Sequence, residues 1–188
     1  MKKRLVFLSV FVIAFLVGSQ GVILAQGKKV SVSGHATFAG PPLLTTPPPV
    51  TTDDEGNTHY LGMRLKGDFY LTDGRTWEFK GTRFAEIWGI QFNKLRIGHR
   101  QGPITVYTSE MEEVAWVGQF HVSCMGTAAS HLASGEMILE GVGDYEGMQL
   151  ELDAEQKTTD SGEPKYFVLE GQLRVIPPGL RCRPPWSN

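Results

Sequence analysis

Several absences narrow the field first. The sequence has two cysteines, Cys124 and Cys182, and no CxxC pair, so neither a dithiol redox motif nor a cysteine zinc site is supported. Its five histidines, His35, His59, His99, His121 and His131, include no HxxxH or HxH spacing, and no metal site or cofactor is expected. There is no GxSxG, no spacing that points to a Ser-His-Asp triad, and no DxDxDG calcium loop. Basic residues never gather into a face. The one short cluster, Lys94–Arg100 with Arg96 and His99, is too small to offset a phosphate backbone, which excludes a nucleic-acid partner. No segment sustains the 3.6-residue period of an amphipathic helix.

The N-terminus has the form of a secretory signal over residues 1–25. Lys2, Lys3 and Arg4 are followed by an apolar run broken by Ser9, then by Ser19 and Gln20, and Ala25 ends the segment. Loss of those three cations takes Lys+Arg from 18 to 15 against 20 Asp+Glu, a net charge of −5. Export, to a periplasm or outside the cell, leaves no stable membrane insertion after cleavage. It also favours a Cys124–Cys182 disulfide. That bond would close 59 residues counting both ends, worth roughly 4 kcal/mol on a chain-entropy basis, and would tie down the Pro-rich tail 177–188.

Between signal and tail, residues 26–176 form one domain whose dominant period is two. Val30 and Val32 alternate with serines in a first strand. Residues 41–57 (PPLLTTPPPVTTDDEGN) carry five prolines and form a flexible loop, because proline donates no ladder hydrogen bond. In His59–Leu71 one row holds Leu61, Met63, Leu65, Gly67, Phe69 and Leu71, and the other Tyr60, Arg64, Lys66, Asp68 and Tyr70. A three-residue loop Thr72-Asp73-Gly74, with Gly74 at positive φ, sets Phe69 opposite Trp77 and keeps apolar residues on one face. Further strands cover 84–97 with a break at Gly89, Ile104–Ser109 after a turn at Gly98–Pro103, and Val114–Ser123, whose rows are Val114, Trp116, Gly118, Phe120, Val122 and Ala115, Val117, Gln119, His121, Ser123. Cys124–Ala133 has no period and is expected as a loop or one helical turn. Lys165–Ile176 is a last strand.

About eight strands joined by glycine turns, with no helical crossovers, imply an all-β chain. Long strands expose long edges, and closing the sheet removes them, so the fold class is a single antiparallel β-barrel of about eight strands.

The stretch Gly135–Gln156 carries a further signal. Two alternating runs flank Glu140–Gly147 (EGVGDYEG), in which Gly141, Gly143 and Gly147 make corners and Tyr145 plugs them. This turn resembles the G-x-G-x-[FY]-x-G turn of allene oxide cyclase and dirigent-like barrels, over about the last fifty residues of the chain. In those families it joins two late strands of an eight-stranded antiparallel barrel. Met148-Gln149-Leu150 stands where that pattern often has a further glycine. The resemblance implies a fold, and no catalytic residue is transferred by it.

The aromatics supply the ligand argument. Trp77, Phe79, Trp88, Trp116 and Phe120, with His121 as the polar group, are the candidate lining of an apolar ligand site. The same rings suit a filled core equally. Glu110, Glu112, Glu113 and the Asp53-Asp54-Glu55 run are expected as solvated charge, and the pairs Glu136/Glu140 and Glu151/Asp153 as outer, wet positions. The functional expectation is a secreted barrel that acts without catalysis, binding a small hydrophobic ligand or a partner protein, which includes another copy of itself. The alternative is a cyclase or isomerase acting on a hydrophobic substrate inside the barrel.

Overall fold

A computed structural model describes residues 29–37, 49–108, 113–129, 131–157 and 166–176. The strands are β1 (Lys29–Thr37), β2 (Val50–Thr52), β3 (Thr58–Thr72), β4 (Glu78–Phe92), β5 (Ile97–Thr108), β6 (Val114–Gly126), β7 (His131–Gly141), β8 (Met148–Lys157) and β9 (Tyr166–Val175), with one 3₁₀ turn at Gly143–Tyr145. Each long strand pairs antiparallel with its sequence neighbour from β3 to β9, β9 pairs with β1, and β1 pairs back onto β3. The result is a closed eight-stranded antiparallel barrel, with β2 added to the free part of the β3 edge. Closure explains how strands of up to 15 residues avoid exposed edges. No helix among the described residues is long and apolar enough to cross a membrane.

Alternation sorts each strand into an inner and an outer row. On β6, Trp116, Phe120, Val122 and Cys124 are buried while Val117, Gln119, His121 and Ser123 are exposed, and Ala115, placed with the second row by spacing, is buried where the register with β5 shifts. Glu136 and Asp153 are exposed beside buried Met137 and Leu152, and Glu140 and Glu151 are half-buried beside buried Leu139 and Leu150.

Four expectations are corrected. The β3–β4 connection is the five-residue loop Asp73–Trp77, because Thr72 pairs with Glu78 and Phe69 with Gly81 instead of Trp77. The Asp73 carboxylate accepts the amides of Arg75, Thr76 and Trp77 at 2.8–3.0 Å and so stabilises a longer turn. The register moves by an even number, so the apolar face survives, and Gly74 has φ +71 as expected. Second, Leu61 is exposed and Tyr60 buried. A bulge at Gly62 (φ +82) inserts one extra residue, which reverses the facing of everything before it. Third, Gly98–Pro103 lies inside β5, and β4 runs unbroken through Gly89. Pro103 points outward, and the true turn is at 93–96, where Arg96 has φ 57. Fourth, Cys124–Ala133 is mostly strand, at the end of β6 and the start of β7.

Within the expected loop 41–57, Val50–Thr52 is a strand, and Asp53 organises the turn after it. Its carboxylate accepts the amides of Glu55 and Asn57 and meets His59 Nε2 at 2.8 Å, so it is not merely solvated charge. Residues 1–28, Glu110, Glu112, Cys182 and the tail lie outside the described residues.

Candidate functional site

The barrel interior has two different ends. At the end where β7 turns into β8, large side chains meet in register. Leu139 pairs with Leu150, Leu150 with Leu173 and Leu173 with Val30, so four apolar residues from four strands form one inner row. Phe79 stands at its centre. Its ring is 6.2 Å from Phe69, 6.1 Å from Trp116 and 5.4 Å from Tyr145, each edge-on, and Trp116 and Tyr145 are 5.1 Å apart. Tyr145 is carried in by the 3₁₀ turn, as its place between glycines suggests. Gly141 must lack a side chain, since a Cβ there would collide with the Tyr145 backbone carbonyl.

At the opposite end the inner row is thin. Val122 pairs with Gly135, Gly135 with Ala154, Ala154 with Leu169 and Leu169 with Gly34. One inner row further along, where Gln156 pairs with Phe167 and Phe167 with Ala36, lies a cavity of about 250 Å³ lined by Leu65, Ile87, Val122, Ala133 and Phe167, with Arg100, His131 and Gln156 as its polar groups. The Arg100 guanidinium lies 4.2 Å from the centre of the Tyr60 ring, donates to the Tyr60 hydroxyl at 2.8 Å and donates to His131 Nε2 at 2.7 Å. A guanidinium can only donate, so this imidazole nitrogen accepts.

The charge balance of the interior is unusual. Among the described residues Arg83 and Arg100 are the buried charged side chains, and no Asp or Glu is buried. Arg83 donates from Nε and Nη2 to the Thr37 carbonyl at 3.2 and 3.0 Å, where the chain leaves β1. Burial lowers its pKa to about 10, so it stays charged at neutral pH. Among the described residues the ionisable neighbours of Arg100, Tyr60 and Cys124, give it no counter-charge. Burial raises the Tyr60 phenol despite the guanidinium beside it, and burial likewise raises the Cys124 thiol. Removing a cation from water costs several kcal/mol. A desolvated cation–π contact returns about 2 kcal/mol and hydrogen bonds to a charged group about 1.5–3 each, but neutral partners do not cancel the charge. Arg100 Nε and Gln156 Oε1 are both buried without a protein partner.

The sequence candidates therefore separate. Phe79 and Trp116 pack together at the filled end, Trp77 is half-buried against the same core, and Phe120 is buried on the inner wall of β6. None of them lines the cavity. Trp88 and His121 point outward, so they share no interior with the rest. Trp88 covers the Gly62 bulge and donates from Nε1 to Glu86 at 2.9 Å. His121 borders a shallow outer concavity of about 560 Å³, with Glu136, Asp153 and Glu170 directly across successive strands. No group of three or more His, Cys, Asp or Glu side chains among the described residues is arranged to hold a metal ion. Cys124 is buried on the inner wall and forms no disulfide among the described residues. Arg100, His131 and Gln156 were not among the candidates. Read as a strand, Arg100-x-Gly102-x-Ile104-x-Val106 would have aligned that arginine with a buried row.

No family model, curated protein or solved structure matches the chain.

Proposed function

We propose that the protein is an exported barrel that binds a small, largely apolar ligand at the thin-walled end of its interior. One observation carries this reading. A filled barrel opens at one level into a cavity of about 250 Å³ with five apolar and three polar lining residues, the mixture typical of small-molecule sites. The volume is below the usual roughly 300–1,000 Å³ range, so the ligand is small. The signal-like N-terminus supports export. The closed eight-stranded barrel and the glycine-cornered turn between β7 and β8 support kinship with allene oxide cyclase and dirigent-like barrels.

Cyclase or isomerase chemistry is the weaker reading. It needs a group that moves a proton, and no carboxylate is buried among the described residues, while burial raises Tyr60. That leaves His131. Native mass spectrometry of the full chain purified from its own host tests both readings. A stoichiometric small molecule, released on unfolding and rebound unchanged, is expected. A protein that never carries or takes up any small molecule would sink the binding reading. Conversion of the released molecule on rebinding would replace it with the enzymatic one.

A further inference from the structure

The shape of the cavity limits the size of its ligand, and its charge limits the chemistry. Arg100 is 9 % exposed, lines the cavity, and turns its guanidinium toward Tyr60 and His131, which are neutral in these contacts. No buried carboxylate among the described residues answers it. Its Nε has no protein partner. A buried cation with spare donors is most stable beside an anion, and a planar guanidinium matches a carboxylate best.

From this we propose that the barrel is selective for small organic carboxylates, with the anionic group received by Arg100 and the apolar body lying between Ile87, Val122 and Phe167. The inference rests on the binding reading above and adds the headgroup to it. Size narrows it further. A dry cavity of roughly 150 Å³ takes one benzene, so about 250 Å³ takes one ring or a short branched chain plus its carboxylate. A long acyl chain does not fit within it.

Calorimetry on the full chain, at low chloride, tests the proposal with phenylacetate, its neutral isostere phenylacetamide, and toluene. Phenylacetate is expected to bind about tenfold or more tighter than phenylacetamide, the margin of one charge-assisted hydrogen-bonded pair. Arg100→Gln should bring that ratio near one while leaving the affinity for toluene within about twofold. Phenylacetamide binding as tightly as phenylacetate overturns the headgroup assignment and leaves the cavity reading standing. So does a ratio in Arg100→Gln equal to that of the unaltered protein. Chloride competing as strongly as phenylacetate also overturns it, because the apolar body would then contribute nothing. Failure of all three ligands to bind overturns both readings. The comparison on the unaltered protein needs no variant, so the proposal is tested even if Arg100→Gln does not fold.

Discussion

The two ends of the barrel are built on the same strands and differ in what the inner rows present. At one end Leu139, Leu150, Leu173 and Val30 stand side by side, and Phe79, Trp116 and Tyr145 fill what remains. Toward the other end Gly135, Ala154 and Gly34 stand in an inner row, and beyond it Arg100 borders a cavity walled by Ala133, Gln156 and Phe167. An eight-stranded barrel has an interior that side chains can just fill, and the unfilled space opens where Arg100, His131 and Gln156 stand among the lining. Stability is thus concentrated at the aromatic end. The thin-walled end tolerates a buried cation that no buried carboxylate among the described residues answers, a device expected where a protein trades stability for function.

The sharpest way to break this contrast is truncation at the filled end. Trp116 is fully buried, and Trp116→Ala should cost about 3–5 kcal/mol, read as a lower midpoint of urea unfolding. A loss below about 1 kcal/mol would mean that the aromatic end is not the stable half. The matching change at the other end is Arg100→Met. It exchanges a buried cation for an apolar side chain of similar length, which is often neutral or stabilising. A change smaller than about 1 kcal/mol in either direction is expected by the same measurement. If Arg100→Met cost as much as Trp116→Ala, the arginine would be a structural keystone and the contrast would collapse.

The smallest effect is local to the turn between β2 and β3. Hydrogen bonds from His59 and from the Asn57 amide hold the Asp53 pKa at about 2, below its ordinary 3.8. A depressed folded pKa gives stability that is present above the unfolded value and lost as pH falls through the folded one. Hydrogen-exchange protection of the Glu55 and Asn57 amides should therefore fade between pH 3.8 and about 2. Asp53→Asn should remove that pH dependence while the rest of the barrel stays protected. An unchanged profile in the variant would show that another group controls the turn.

Legibility in the sequence followed the range of the interactions involved. Strand identity and the separation of β6 into two rows could be read directly, because alternation is a local property of each strand. Which row faces inward could not, and the ligand candidates group outward His121 with Trp116 and Phe120. The plug role of Tyr145 was equally local, fixed by glycines on either side. Errors arose where one residue changed phase. Gly62 as a bulge reversed the facing of Leu61 and Tyr60. Gly98, Gly102 and Pro103 carry the composition of a turn yet sit in mid-strand, because an outward proline and inward glycines are tolerated where the neighbouring strand approaches closely. That misreading hid Arg100, and reading Cys124–Ala133 as irregular hid His131. The aromatic residues were conspicuous by type, but type alone does not say which wall or which end a ring occupies.

The sequence by itself determined an antiparallel all-β chain, its closure into one barrel, and the division of most strands into two rows, since period, turn composition and strand length are encoded within short segments. Only the tertiary structure decided that the leucines align in one ring and the glycines and alanines in another. It also decided that Trp88 and His121 face outward, and that the hollow level surrounds Arg100. The physical reason is register. Which residues share a level depends on how strands far apart in sequence slide against one another, and a shift of one or two residues moves every neighbour across the barrel.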